Sequence, residues 1–230
     1  MKLLLSFLIV LFLAGCNETY AATLTVYSTT GDGMVGNNNQ TTWDIAHDTD
    51  PGATTSSGAE ETINASKFTD SNWSVYHLHF PFDTSSIGGT AVISAATLSL
   101  YAITIVNTNS ASVGVLLSTQ GSSPPAAADF DKCSTINTPT EGATRVTLAS
   151  MSTAQYNDMP LNATGLTYVS GTGTTSLCNR MSNDMDDSAP TGENSLLVYM
   201  NFQAGTTEDP KLVVTYSEPS TFTPKAIIIE

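Results

Sequence analysis

Positive charge is nearly missing from this chain. Lys and Arg number 7 in 230 residues, against 21 Asp and Glu, for a formal net charge of −14. The seven are scattered singly, so no basic stripe exists to neutralise a phosphate backbone, which argues against nucleic acid as a partner. Charge of either sign is thin: 12% of residues are charged, where about 25% is usual. Beyond the first 13 residues no apolar run approaches the roughly 20 residues of a membrane helix, and no repeat of solenoid period recurs. Neither a Gly-x-Ser-x-Gly elbow nor a His-Glu-x-x-His motif is present. Glu60 and Glu61 are adjacent, so on a strand they point to opposite faces and make a poor carboxylate pair. These absences point away from an enzyme.

Ser and Thr take the place of charge, filling roughly a quarter of the chain. A hydroxyl-rich, acidic, Lys-poor surface suits an extracellular protein, and the N-terminus agrees. Met1-Lys2 precedes an apolar run over residues 3–13, which is of signal-peptide length. Leu13-Ala14-Gly15-Cys16 then fits the bacterial lipoprotein pattern, with lipid on Cys16 as the new N-terminus. The other reading is an ordinary secretory peptide cut near Ala21-Ala22. The organisation expected is a signal peptide over 1–15, a tether over 16–22, one β-sandwich domain over 23–217, and a linker with an apolar strand over 218–230. Past Cys16 the chain keeps only Cys133 and Cys178. An oxidising compartment favours one disulfide between them; the alternative is two buried thiols.

The stretch over residues 74–106 organises the rest. Tyr76, Leu78, Phe80 and Phe82 share one face of an alternating segment, and Val75, His77, His79 and Pro81 share the other. A polar corner follows, Asp83-Thr84-Ser85-Ser86 with Gly88-Gly89, and then a second long run with Leu98, Leu100 and Ala102 on one face. Shorter strands are expected over 23–28, 41–47, 60–65, 112–118, 144–149, 159–162, 174–181, 194–202 and 211–216, with one helical turn at 153–156 and a short helix over 163–170. Some ten strands with at most one or two short helices predict an all-β, antiparallel sandwich.

Phe82-Asp83-Thr84-Ser85-Ser86-Ile87, followed by Ile93-Ser94-Ala95-Ala96-Thr97-Leu98-Ser99-Leu100-Tyr101, resembles the centre of the DNRLRE-type β-sandwich domains of secreted proteins, found on bacterial surfaces and in phage-like sequences. Asp209-Pro210-Lys211-Leu212-Val213-Val214-Thr215-Tyr216 resembles their closing strand, and Asn157-Asp158-Met159-Pro160-Leu161-Asn162-Ala163-Thr164-Gly165-Leu166 a middle block. The resemblance implies a jelly-roll-like sandwich in an extracellular setting, without a known reaction.

Several side chains are candidates for binding. His77 and His79 are about 7 Å apart on one strand face and could ligate zinc or copper, with His47 or a carboxylate completing the site; otherwise they are half-exposed strand residues. Asn183-Asp184-Met185-Asp186-Asp187 clusters oxygen ligands, so Asp184, Asp186 and Asp187 are candidates for structural calcium, and no other cofactor is implied. Trp43, Trp73, Tyr76 and Tyr101 could stack on a sugar, though alternating aromatics also serve as core. Finally, a linker with Pro219 and Pro224 leads to Lys225-Ala226-Ile227-Ile228-Ile229-Glu230. Three isoleucines at a chain end are a strong β-former, worth roughly 1.5–3 kcal/mol each if buried. Ala226, Ile227, Ile228 and Ile229 either dock as a strand on a neighbouring subunit, building a fibre, or fold back on their own domain. The sequence thus reads as a non-enzymatic extracellular structural or adhesive protein, partnered by itself or by surface glycans and membrane-associated through lipid alone. A carbohydrate-binding module is the alternative, and a secreted hydrolase a more distant one.

Overall fold

The computed structural model describes residues 21–69, 71–201 and 205–218. Cys16, most of the expected tether, and the tail residues Ala226, Ile227, Ile228 and Ile229 lie outside them. Among the described residues twelve strands, three short α-helices and three 3-10 turns follow one another. First come β1 (Ala21–Tyr27), β2 (Gly33–Gln40), α1 (Trp43–Asp48), β3 (Thr54–Ser56), β4 (Glu60–Lys67) and β5 (Trp73–Asp83). Then come β6 (Val92–Asn107), β7 (Ser112–Leu117), β8 (Val146–Thr147), β9 (Gln155–Pro160) and α2 (Ala163–Leu166). β10 (Thr174–Met181), α3 (Ser182–Met185), β11 (Asn194–Tyr199) and β12 (Lys211–Ser217) close the domain. The protein is all-β; among the described residues every strand pairing is antiparallel and no helix is long and apolar enough to cross a membrane.

The two long strands curl the sheet. Thr97 to Ser99 of β6 pair with both β12 and β9, and Ala102 pairs with both β11 and β9. A strand has two edges, so β12 and β11 lie end to end along one edge of β6, with β9 on the other. β5 repeats the device: β4 takes Trp73 to Tyr76 and β10 takes Leu78 to Asp83 on one edge, opposite β2. The strands thus form one continuous hydrogen-bonded sheet, ordered β1-β12-β6-β11-β4-β5-β10-β7-β8, with β2, β3 and β9 as side branches. Curled over, it encloses Leu78, Phe80, Phe82, Leu98, Leu100, Ile63, Val115, Leu177, Leu196 and Leu212. The inward rows of β5 and β6 are those that the alternation predicts.

Local readings diverge where two periods compete. Residues 41–47 fit a strand with Trp43 and Ile45 inward, yet they form α1. Thr42 caps it, its Oγ1 accepting from the Ile45 amide at 3.3 Å. Trp43, Ala46 and His47 are buried at helical spacing, and Ile45 is left 41% exposed. The helical turn expected at 153–156 is instead the start of β9, because the Ala154 amide donates to the Ala102 carbonyl and leads the chain onto β6. β2, whose Gly and Asn content reads as turn and loop tip, pairs with β5 from Gly33 to Asn37. A Cβ at Gly36 would come within 2.2 Å of the Val75 carbonyl oxygen, so only glycine fits there.

Candidate functional site

The outer face of β5 and β10 carries three buried ionisable side chains, His77, His79 and Arg180. His77 and His79 alternate on β5, and Cys178 and Arg180 alternate on β10, with His79 paired to Cys178 in register. Leu116, Cys133, Cys178 and Met185 form a small apolar cluster of their own here. The irregular segment after β7 folds over this face as a second, largely polar interior. The Cys133–Cys178 disulfide fixes it, with Cα atoms 5.6 Å apart. Phe130 stacks on His77 with ring centroids 4.5 Å apart and planes 10° from parallel. Phe130 and both histidines are completely buried.

At the centre stand Arg180 and Asp184, both with no solvent exposure. Arg180 Nε donates to Asp184 Oδ2 at 2.6 Å and Nη2 to Oδ1 at 3.0 Å, the fork geometry that guanidinium and carboxylate share. The remaining donors reach outward: Nη1 to the Thr135 carbonyl and Nη2 to the Ile136 carbonyl, each at 2.9 Å. Arg180 therefore holds both α3 and the covering segment. His77 Nε2 lies 3.0 Å from Asp184 Oδ2 and its Nδ1 3.0 Å from the Phe130 carbonyl, while His47 Nε2 reaches the Asp184 carbonyl at 2.8 Å. All three histidines of the chain are thus interior. Burial alone would raise the Asp184 carboxyl; the charges of Arg180 and His77 and their hydrogen bonds outweigh it and hold it well below the usual carboxylate range. Burial pushes His77 below the usual histidine range against the pull of Asp184. Both His77 ring nitrogens face acceptors, and Arg180 is the permanent cation beside Asp184. His79 is driven down to about 3, chiefly by burial and then by His77. Its Nδ1 meets Ser118 Oγ at 2.7 Å, and its Nε2 has no partner among the described residues.

The candidate ligands are separated by these contacts. His77 and His79 have the expected spacing, but each is engaged by a different protein group instead of standing half-exposed. Of the acidic run, Asp184 points inward to Arg180. Asp186 takes Arg145 bidentately, at 2.6 and 2.7 Å. Asp187 Oδ1 accepts from Trp43 Nε1 at 2.9 Å. Among the described residues no group of three or more His, Cys, Asp or Glu is placed to hold a metal ion. The four candidate sugar-stacking aromatics are also dispersed. Trp43 is buried on α1 and stacks on His47. Trp73 lies under the Lys67 ammonium, 4.8 Å from the ring centroid. Tyr76 is half-buried on β5, and Tyr101 packs between Tyr156 and Tyr199. A cleft of about 490 Å³ is lined by Leu117, Thr119, Lys132, Thr140, Thr164 and Tyr168, beside the disulfide.

The sequence reading passed over Arg180. Its signal was available: if Cys178 is bonded beneath a covering segment, the side chain two residues along the same strand is covered with it. Asp32 was also missed. It is fully buried in the turn after β1, accepting from Ser28 Oγ at 2.6 Å and from the Asn201 amide at 3.0 Å on Oδ2. Among the described residues its Oδ1 has no partner, nor has Oδ1 of buried Asp209, which the hydrogen bond from the Ser28 amide to the Pro210 carbonyl brings to the same corner. Burial raises Asp32 from 3.8 to about 6, with Asp209 and Glu61 adding repulsion. A carboxyl raised in the fold binds more protons folded than unfolded, so its contribution falls as pH rises from about 4 to about 6. Asp32→Asn keeps one oxygen to accept both donors and turns an amide toward Asp209. We expect no gain near pH 4 and a gain on the order of 1–3 kcal/mol above pH 6, read by urea denaturation across that range. Equal gains at both ends would show that ionisation is not the cause.

Comparison with known proteins gives no matching family model and no matching curated protein.

Proposed function

We propose that the chain is an extracellular, non-enzymatic structural protein that self-associates by giving residues 226–229 to a second copy as a β-strand. The observation that carries this reading is where β12 ends. Ser217 pairs with Ala21 on one side and Val92 on the other, so the tail leaves from the margin of the sheet, one strand from its edge. A β-forming segment released beside a sheet edge can add to another such edge through main-chain hydrogen bonds. In this reading the interior Arg180–Asp184–His77 group serves as a cross-link between strand and covering segment.

Deleting residues 225–230 tests the reading. Strand donation gives a folded monomer where the intact chain associates. Fold-back gives a lower melting temperature and no change in oligomeric state. Export and lipid at Cys16 belong to the same proposal: maturation at Cys16 keeps all of the described strand Ala21–Tyr27. Cys16→Ser expressed in a bacterial host should move the protein from the membrane fraction to the soluble one, and unchanged fractionation would count against the anchor. The carbohydrate-binding alternative draws on the cleft at Tyr168, whose ring and threonine hydroxyls suit a sugar face. A glycan array with a Tyr168→Ala control decides it.

A further inference from the structure

We infer that the self-association is a closed two-fold dimer, in which each chain lays its tail along the free edge of β1 in the other. This rests on the tail-exchange reading above and names its acceptor and its symmetry.

Among the described residues four strands are bonded on one side only: β1, β3, β8 and β9. Exposed edges attract foreign strands, and proteins blunt them with shortness, charge or proline. β3 has 3 residues and β8 has 2. β9 contains Asp158 and ends at Pro160. β1 alone is unguarded: 7 residues, AATLTVY, with no charge and no proline, paired to β12 without a bulge. Past Tyr27 the edge closes, since Ser28 turns to bridge Phe82.

The tail matches this edge in one antiparallel register. Leu24 and Val26 are half-buried at the margin of the core, and Thr23 and Thr25 are exposed. Setting Ile227 opposite Val26 and Ile229 opposite Leu24 continues the apolar row, because directly paired residues share a face. Ile228 then stands opposite Thr25 on the outer face.

The point of exit selects the partner. The tail leaves at the Ala21 end of β1, whereas antiparallel docking must start at the Tyr27 end. On its own chain the linker would have to run back along β1 for about 20 Å and across two strand spacings, about 10 Å. A linker of residues 218–224 reaches about 25 Å at full stretch, which leaves almost no slack around the sheet. In a two-fold pair with facing β1 edges, the Tyr27 end of the second copy lies at the Ala21 end of the first. The tail then steps sideways across three strand spacings, about 14 Å. The order becomes β1, tail, tail, β1, antiparallel throughout, and both acceptor edges are filled. No unguarded edge then remains among the described residues, so the exchange closes instead of propagating.

The test uses the full chain carrying Cys16→Ser, Thr25→Cys and Ile228→Cys, oxidised and run on a denaturing, non-reducing gel beside light scattering of the unoxidised protein. The expected result is a disulfide-linked dimer and a mass of two chains that does not grow with concentration. A mass that climbs with concentration overturns the closure and leaves tail exchange standing. A dimer without the cross-link overturns β1 as the acceptor. A monomer, whether cross-linked within itself or not, overturns the exchange reading altogether. As a second arm, Thr23→Lys with Thr25→Lys places charge on two exposed positions, and it should weaken dimerisation at least tenfold with no change in the melting temperature of the tail-deleted monomer. Undiminished dimerisation in that variant counts against the β1 edge.

Discussion

Arg180→Leu is expected to cost about 3–5 kcal/mol at neutral pH, the range for removing one partner of a buried ion pair. The fully buried Asp184 carboxylate would keep only His77, and the Thr135 and Ile136 carbonyls would lose their donors. The penalty depends on pH with a definite sign. In the native protein Asp184 is depressed, so its pairing contributes stability above the unfolded value of 3.8 and loses it as pH falls below that. In the variant the carboxyl has lost its permanent cation and rises, so protonation relieves the defect and the gap between variant and native narrows in acid. Arg180→Leu combined with Asp184→Leu should recover part of the loss, because an apolar pair needs no counter-charge. Guanidinium denaturation at pH 7 and pH 4 reads all three; a loss under about 1 kcal/mol at pH 7 would mean that water or another cation replaces Arg180.

Removing the Cys133–Cys178 bond, by Cys133→Ala with Cys178→Ala, is expected to cost about 3–4 kcal/mol, since the bond closes a loop with a sequence separation of 45. The same segment is also held by Arg180 at Thr135 and Ile136 and by Phe130 on His77. The two restraints act on one piece of chain, so their losses should not add. With the disulfide absent, the segment is already free to move and Arg180→Leu takes away less. A double-mutant cycle measures the difference. Strict additivity would show that the segment stays seated on β5 and β10 without the bond.

The sheet was readable because β5 and β6 bury alternate side chains, and alternation survives in the sequence whatever the strands pair with. The disulfide was readable from parity once export was inferred. What hid was set by tertiary cover. The histidine face of β5 looks solvent-facing in a two-residue period, and only the segment carrying Phe130 and Cys133, brought from some 50 residues away, makes it interior. α1 defeated the strand reading because Trp43 and His47 satisfy both a period of two and a spacing of four. β2 defeated it because its glycines and asparagines signal turns when considered singly, whereas Gly36 is there to let Val75 approach. The acidic run near Asp184 looked like one ligand set and is three ion or hydrogen-bond partners facing three ways. Residue type was correct there; direction was invisible.

The pairing of Ala21 with Ser217 also decides how the domain bears tension. The chain enters and leaves at one point, so a pull between the two ends does not load the strands along their length. It parts Ala21 from Ser217, then Ala22 from Tyr216, and opens the β1–β12 seam like a zipper, a few hydrogen bonds carrying all the force at any moment. Strands pulled from opposite ends share the load across every bond at once. A strand laid across the outer edge of β1 is bonded along that length, and tension reaching the domain through it meets the sheet in shear. The stiffness of any assembly would then reside in the exchanged strands, and the domain's own ends would be its weakest joint.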